Sequence, residues 1–321
     1  MKIYDCFTFF NELDLLDMRL NILDSYVDYF VLVEANQTFT GKEKELIFQE
    51  NKSRYESFLH KIIYVCVNDL PATDNPWIRE YHQRNAIVRG LTNCGDDDII
   101  LVSDCDEIPN PAFVKLLKAR GLSTITTIPM FFCYFYMNLL NTTCPLWHRA
   151  KACRYSYLKN STPQKVRMKL FPLKVAKSAE ENKIVYLGWH LSYIGGTEKI
   201  KEKIAAFAHQ EYNTEEFTDS AYIEQVIACG ADLFGRGYTF KAMDEKLFLS
   251  EYINENYKNY IFGFDTLSDK EKVQNNEILK KFYSLSAIGI LYMRLRTIVL
   301  NRIKKMDSNA DEVLHEEKRE I

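Results

Sequence analysis

The stretch "IILVSDCDEIPNP" at residues 99–111 places three carboxylates directly after an apolar run. The Ile, Leu and Val residues at its start are typical of a strand that is buried on both faces of a parallel sheet. An extended chain alternates its side chains, so Asp104 and Asp106 should point to one side and Cys105 to the other. Glu107 follows at once. The stretch therefore predicts a buried strand that presents paired acids at its carboxyl end.

The segments before this strand alternate between strand and helix patterns. Short apolar runs typical of strands are "KIYDCFTFF" (2–10), "YFVLVE" (29–34) and "KIIYVCV" (61–67). Helical spacing of apolar residues is present in "ELDLLDMRLNIL" (12–23) and "PWIREYHQRNAIVRGL" (76–91). This alternation predicts an α/β fold in which helices flank a mainly parallel central sheet.

The pattern changes after residue 120. Strands are predicted in the aromatic "STITTIPMFFCYFYMNLL" (123–140), in "VRMKLFPL" (166–173) and in "KIVYLGWHLSYIGG" (183–196). Helices return in "TEKIKEKIAAFAHQ" (197–210) and "DSAYIEQVIACG" (219–230). Within the aromatic run, residues 130–138 suit either core strand, which we favour, or the wall of an acceptor groove.

Composition narrows the possible partners and the compartment. The net charge is −3 and the isoelectric point about 6.1, which argues against a nucleic-acid-binding protein. Eight cysteines are scattered through apparent core segments and form no CxxC pair. They are interpreted as reduced, buried thiols, which predicts a cytoplasmic protein.

The paired acids point to phosphate chemistry. Two carboxylates on one side of a strand end suit Mg²⁺ or Mn²⁺, which prefer oxygen ligands and leave positions open for phosphate oxygens. Ligands of parallel sheets bind beyond the carboxyl ends of the strands. The alternative is a polar turn, because Asp, Glu, Pro and Asn are common turn residues. We favour Asp104 and Asp106 as ligands of a metal–diphosphate site, whereas Glu107 is equally well explained as a cap of the turn.

Two classes of enzyme use such a site. In a metal-dependent phosphatase Asp104 would be the nucleophile. The haloacid dehalogenase pattern, however, usually continues with Thr or Val after the second Asp, and it usually lies near the start of the chain. Here Glu107 and Ile108 follow three earlier strands. In a nucleotide-sugar transferase the cation holds the diphosphate leaving group. A non-catalytic glycan-binding protein with the same fold is a third hypothesis.

A transferase predicts a division of the chain. Residues 1–262 would form one catalytic domain, with a nucleotide-binding half at 1–120 and an acceptor-binding half at 121–262. A helical segment at 263–305 and a charged, flexible tail at 306–321 would follow.

Five blocks in a fixed order resemble glycosyltransferase family 17. They are "FNELDLLDMRLNIL" (10–23), "VEANQTFTG" (33–41), "WIREYHQRNAI" (77–87), "SDCDEIP" (103–109) and "GWHLSY" (188–193). The resemblance implies a GT-A-like fold, a UDP-sugar donor with N-acetylglucosamine as the sugar, and inversion at the anomeric carbon. The bisecting activity of the family's vertebrate member is not carried over, because the acceptor-side segments look different.

Donor contacts are expected in loops that follow the first strands. Arg84 suits a pyrophosphate, although arginines on an amphipathic helix more often face solvent. Glu12 is as well explained by a favourable charge at a helix N-terminus. The resemblance implies that His190, which follows Trp189 in the sequence, is a third metal ligand. The alternative is a purely structural role for His190. The predicted donor-binding residues are Asn11, Glu12, Glu34, Arg84 and Asp104, and the predicted metal ligands are Asp104, Asp106 and His190.

Inversion requires a general base, and a carboxylate is the usual choice. The candidates after the D-x-D motif are Glu198, Glu211, Asp219 and Asp232. Asp219 is placed first, because a matching D-x-x-Y-I occurs in the family, and Glu198 second. Each is also explained as a helix cap or a surface acid.

The segment 284–305 combines an apolar helical stripe with five basic residues. Such a helix can lie on an anionic membrane, which would suit a glycolipid acceptor and a peripheral location. The alternative, slightly favoured, is a helix docked on the domain or in a homodimer interface.

Overall fold

A computed structural model describes residues 1–169 and 188–283, which form two sheets and their flanking helices. The strands are β1 (Ile3–Phe9), β2 (Tyr29–Ala35), β3 (Ile62–Val67), β4 (Ile99–Asp104), β5 (Glu107–Ile108), β6 (Thr126–Thr127), β7 (Met130–Tyr134), β8 (Leu139–Asn141), β9 (Leu146–Trp147), β10 (Lys151–Arg154), β11 (Gly188–Ser192) and β12 (Phe240–Ala242).

Short and long helices connect these strands. The α-helices are α1 (Leu13–Leu23), α2 (Ile47–Glu50), α3 (Pro76–Asn85), α4 (Pro111–Arg120), α5 (Tyr155–Leu158), α6 (Pro163–Met168), α7 (Gly196–Ala206), α8 (Glu215–Thr218), α9 (Ser220–Cys229), α10 (Glu245–Phe248), α11 (Glu251–Asn256) and α12 (Asp269–Tyr283). The 3₁₀-helices are Lys52–Phe58, Ala86–Gly90, Gln210–Tyr212, Lys258–Tyr260 and Phe264–Thr266.

The first sheet contains the predicted parallel strands. Its order is β3-β2-β1-β4-β10-β6, and the β3-β2, β2-β1 and β1-β4 pairs are all parallel. β10 pairs with β4 in the antiparallel direction and β6 extends the same edge. The predicted α/β class is therefore confirmed, with a sheet that is parallel on one side and antiparallel on the other.

The second sheet meets the first at the acidic motif. Its order is β12-β8-β7-β11-β5; β7 and β11 run parallel and its other pairs are antiparallel. β4, a central strand of the first sheet, ends at Asp104, and β5, the edge strand of the second sheet, begins at Glu107. Only Cys105 and Asp106 lie between them. The motif is therefore one of the points at which the chain passes from one sheet to the other.

The largest hydrophobic cluster lies between the sheets. Side chains of β1, β2 and β4 on one face contribute to it with α1 and α4, and β7 and β11 contribute from the second sheet. Cys105 is buried in this cluster, as its predicted orientation requires. Separate clusters cover the outer faces of the two sheets. This packing fixes the relative position of the two strand ends that carry Asp104 and Glu107.

One prediction about local structure is wrong. Residues 166–168 lie in α6 and not in a strand, because Thr162 caps this helix at Lys165 N–H and Pro163 begins it. The rest of 166–173, from residue 170, lies outside the described residues. The two sheets do not divide at residue 120, since β5 joins the second sheet while β6 and β10 extend the first. The division into a nucleotide-binding half and an acceptor-binding half stays a prediction.

The thiols and the C-terminal segment are placed as follows. All eight cysteines are free; five are buried, but Cys229 is exposed. α12 lies within the predicted helical segment 263–305, whereas the basic stripe at 284–305 and the tail at 306–321 lie outside the described residues. In the described part of the chain, every helix is too short or too polar to cross a membrane.

A buried arginine ties α1 to β4. Arg19 is fully buried and forms a two-pronged ion pair with Asp5 of β1, with N–O distances of 2.6 and 2.7 Å. It also donates to Ser103 Oγ and to the carbonyls of Asp104 (2.9 Å) and Glu107 (2.8 Å). A planar guanidinium can serve this many acceptors at once, which an ammonium group cannot.

We expect Arg19→Met to destabilise the protein by about 3–5 kcal/mol, because it leaves Asp5 as an uncompensated buried charge. Arg54→Met is a matched control, since Arg54 forms an ion pair of the same length, 2.6 Å, with Asp14 at the surface. The control should lose about 0–1 kcal/mol. Denaturant unfolding checks both values, and equal losses would contradict the role given to Arg19.

Candidate functional site

A cleft of about 600 Å³ lies where the two sheets meet. Thr8 and Asp104, at the ends of β1 and β4, form one wall. Phe132 of β7 and His190 of β11 belong to the opposite wall. The cleft is therefore at the carboxyl ends of parallel strands, where α/β sheets bind their ligands.

Asp104 is held by protein donors on both carboxylate oxygens. Its Oδ1 accepts hydrogen bonds from Thr8 Oγ1 (3.0 Å) and Arg84 Nη2 (3.1 Å), and its Oδ2 accepts one from Arg167 Nη2 (2.5 Å). Burial would raise the pKa of Asp104, but Arg167 and Arg84 outweigh burial and lower this pKa to about 2. Asp104 is therefore ionised and holds two arginines at the cleft wall.

Both arginines are themselves buried and oriented. Arg84 is 3 % exposed and also donates to Glu80 (2.7 Å) and Gln164 (2.5 Å). Arg167 is 6 % exposed and binds Glu107 with both terminal nitrogens, at 2.6 and 2.7 Å. Two fixed guanidinium groups at one cleft wall form an arrangement suited to a phosphate or diphosphate.

Glu107 is a structural centre of the motif. It is fully buried, and besides Arg167 it accepts hydrogen bonds from Trp147 Nε1 and from the backbone N–H of Asp104 (2.9 Å). The sequence left its role open between a turn cap and a ligand contact. Its bond to the N–H of Asp104 is of the capping kind, while its link to Arg167 had no signal in the local sequence.

Asp106 faces two different partners. Its Oδ2 lies 2.7 Å from Lys203 Nζ of α7 and 3.7 Å from His190 Nε2 of β11. Burial acts to raise the pKa of Asp106, but the Lys203 charge overcomes it and holds that pKa well below the usual range. For Lys203, Asp106 and Glu12 outweigh burial and raise its pKa. Both members of the pair are charged.

His190 is placed by the packing of β11. It stacks on both Phe132 and Trp147, with ring centroids 5.0 and 4.2 Å away, and those two rings are themselves 5.1 Å apart. Its Nε2 faces Asp106, while its Nδ1 is buried and has no hydrogen-bond partner among the residues that the structure describes. Gly188 allows β11 to lie this close to β5, because a Cβ at residue 188 would lie 2.3 Å from the Ile108 carbonyl oxygen.

The donor set fits a divalent cation at Asp106 and His190. The two donor atoms, Asp106 Oδ2 and His190 Nε2, lie 3.7 Å apart and are close enough to bind one ion. In residues 1–169 and 188–283 no group of three or more His, Cys, Asp or Glu side chains is arranged to hold a metal. Water and phosphate oxygens would have to supply the other ligands.

The remaining predicted donor residues are divided between the cleft and its surroundings. Glu12 lines the cleft, where burial raises its pKa, and its Oε2 accepts from the N–H groups of Phe10 and Asn11. Asn11 instead donates to Glu202 at the protein surface. Glu34 is fully buried, and its carboxylate accepts hydrogen bonds from Lys44 Nζ, Phe48 N–H and Tyr64 OH.

The predicted bases are not brought into the cleft. Glu198 is on α7 with its side chain 83 % exposed and pairs with Lys201. Asp219 caps α9 by accepting from Tyr222 N–H (2.8 Å). Glu211 pairs with His209, and Asp232 pairs with Arg236. None of these four acids lines the cleft, and the catalytic role of Asp219 or Glu198 stays a prediction.

The aromatic run is divided between the core and the cleft, and its role as the wall of an acceptor groove stays a prediction. Phe131 and Cys133 are in the core between the sheets, whereas Phe132 and Tyr134 line the cleft. Trp189 packs in the core and donates to the Phe248 carbonyl. The period of two along β7 divides the run between the two environments.

We expect Glu107→Gln to destabilise the protein by about 3–5 kcal/mol, because Arg167 loses its main buried counter-charge. Glu224→Gln, at an exposed position of α9, is the control and should change stability by less than about 0.5 kcal/mol. Thermal unfolding measured at one pH checks the difference. A Glu107 variant as stable as the control would contradict the structural role given to Glu107.

Comparisons with known proteins identify relatives of this chain. The chain is 34% identical over 116 residues to a protein described as beta-1,4-mannosyl-glycoprotein 4-beta-N-acetylglucosaminyltransferase from Homo sapiens, and equally so to proteins of that description from Rattus norvegicus and Mus musculus. The aligned part covers 34% of this chain but only 22% of each relative.

The family comparison covers more of the chain. The sequence model of Glycosyltransferase family 17 matches residues 1–261. This range contains β1 to β12 and every cleft residue named above. Since the match extends over most of its length, the chain belongs to glycosyltransferase family 17.

Proposed function

We propose that this protein is an inverting glycosyltransferase with a GT-A-like fold, which moves N-acetylglucosamine from a UDP donor to a hydroxyl of a glycan or glycolipid. Family membership and the names of the curated relatives support the sugar and the reaction. The observation that carries the proposal is the cleft at the end of β4, where Arg84, Arg167 and Lys203 are held by the acids of the motif.

The leaving group suits this arrangement. When the bond from the anomeric carbon to the diphosphate breaks, the departing oxygen keeps the electron pair and UDP gains negative charge. Arg84 and Arg167 are oriented before substrate arrives, so they stabilise this charge without reorganisation. Mn²⁺ or Mg²⁺ bound by Asp106 and His190 would add Lewis-acid stabilisation of the same group.

The two aspartates then have different tasks. Asp104 uses both oxygens on Thr8, Arg84 and Arg167, so we assign it to positioning the arginines and not to binding the metal. Asp106 has the position closest to His190 and is the proposed metal ligand. The same saturation of Asp104 argues against a phosphatase, which needs one of these oxygens as a nucleophile.

The acceptor hydroxyl must lose its proton as its oxygen bonds to the anomeric carbon from the opposite face. A carboxylate takes this proton in the proposed reaction. The aromatic side chains of Phe132, Tyr134 and Tyr238 on the second sheet's side of the cleft offer stacking surfaces for a sugar acceptor. The nucleotide would lie on the opposite side, near the ends of β1 and β2.

The division between Asp104 and Asp106 is testable by calorimetric titration of UDP with and without Mn²⁺. Asp104→Asn should weaken UDP binding about tenfold under both conditions, because the arginines lose a charged anchor. Asp106→Asn should remove only the increase in affinity that Mn²⁺ provides. Asp97→Asn, at an exposed acid with a side-chain exposure of 80%, is the control. Identical behaviour of the two motif variants would contradict the division.

Asp219 can be tested without disturbing its helix. Asparagine is as good an N-cap as aspartate, so Asp219→Asn keeps the cap and removes the carboxylate. From its position outside the cleft we expect turnover of UDP-N-acetylglucosamine to change less than about twofold. Loss of a general base would instead cost about 10²–10⁴-fold. Steady-state release of UDP distinguishes these outcomes, and a large loss would establish the role suggested by the sequence.

A further inference from the structure

Lys203 is the lysine of α7 that reaches the cleft. The helix carries three lysines; Lys199 and Lys201 pair with Glu202 and Glu198 at the surface. Lys203 instead places its ammonium group 2.7 Å from Asp106 Oδ2 and 5.2 Å from the centre of the Tyr193 ring. Its side chain is 26 % exposed, toward the cleft that it lines.

Lys203 and a divalent ion would both bind the same carboxylate oxygen of Asp106. The Asp106 oxygen nearest His190 Nε2 is Oδ2, at 3.7 Å, and this is the oxygen that binds Lys203. A divalent ion shared by Asp106 and His190 must approach the same atom. Two cations in contact with one oxygen repel each other. The ammonium group and the ion therefore compete.

The cleft gives Lys203 a second position. A lysine has a flexible four-carbon chain, so its charge can move by several ångström without any change in the helix. Arg84 and Arg167 line the same cleft as Lys203, and an anionic ligand bound to them would lie near Asp106. A diphosphate there would attract the displaced ammonium group.

We propose that Lys203 is a resident cation that occupies Asp106 in the empty cleft and transfers to the donor diphosphate when a divalent ion binds Asp106 and His190. This inference rests on the proposed function, because it requires the ion and the diphosphate to share the cleft. Lys203 thereby prevents the acids of the motif from repelling one another before substrate arrives. It afterwards adds positive charge at the leaving group.

The proposal predicts effects of opposite sign from one substitution. Lys203→Met removes the competitor, so Mn²⁺ should bind the nucleotide-free protein about tenfold more tightly. The same variant should bind UDP about tenfold more weakly at saturating Mn²⁺, because one charged contact to the diphosphate is lost. A residue that merely supported the fold would weaken both.

The test uses the full chain and isothermal titration of Mn²⁺ without nucleotide, followed by titration of UDP at saturating Mn²⁺. Lys199→Met, one turn earlier at an exposed position of α7, is the matched control and should equal the wild type in both titrations. Lys203→Gln serves as a second variant if the methionine substitution impairs folding, and it should shift both constants in the same directions.

The outcomes separate this proposal from the proposed function. If the wild type binds Mn²⁺ and UDP but Lys203→Met leaves Mn²⁺ affinity unchanged or weaker, the resident-cation proposal is overturned and the transferase proposal stands. A wild type that binds neither ligand overturns both. A tighter Mn²⁺ constant together with a weaker UDP constant supports the transfer of Lys203.

Discussion

The ion pair between Arg19 and Asp5 is the interaction on which the position of the site depends. It joins α1 to the strand next to β4, and the remaining N–H groups of Arg19 hold the carbonyls of Asp104, Cys105 and Glu107. Those carbonyls belong to the turn at which the chain passes from β4 of the first sheet to β5 of the second. A buried charge with every donor satisfied is tolerable, whereas the same charge with one partner missing is not. Arg19 therefore fixes the backbone of the turn that carries the acids.

Above this turn, charges of opposite sign are arranged in two sets. Asp104 and Glu107 hold Arg84 and Arg167, and Asp106 holds Lys203 beside His190. The first set consists of rigid guanidinium groups buried among their partners, and the second ends in a flexible ammonium group at the cleft. This difference suits a transferase, in which one set receives the diphosphate and the other exchanges its cation. Asp104 and Asp106, which the sequence treats as equivalent metal ligands, have different partners in the fold.

Local patterns were sufficient to predict much of this architecture. The period-two and period-3.6 spacing of apolar residues predicted β1 to β4, α1 and α3, because those elements are long and bury one clear face or both. Asp104 and Asp106 followed from the end of an apolar strand. Residues 166–168 were mistaken for strand, because a short apolar run carries no signal that separates a strand from one and a half turns of helix.

The missed residues are those whose partners are distant in the chain. Arg167 lies 60 residues from Glu107, and Lys203 lies 97 residues from Asp106. No spacing rule connects such pairs, and both occur in segments that read as ordinary amphipathic or basic stretches. Arg19 did leave a local signal, since it stands three residues after Leu16 and four before Leu23 on the apolar face of α1. A charged residue within such a stripe predicts a buried partner, which here is Asp5.

The central claim is that the cleft between the two sheets receives the diphosphate of a nucleotide-sugar donor. A crystal structure of the full chain with UDP and Mn²⁺ tests it most directly. The account predicts diphosphate oxygens within hydrogen-bonding distance of Arg84 and Arg167, with the ion on Asp106 and His190. UDP bound elsewhere, or a diphosphate without contact to either arginine, would contradict it.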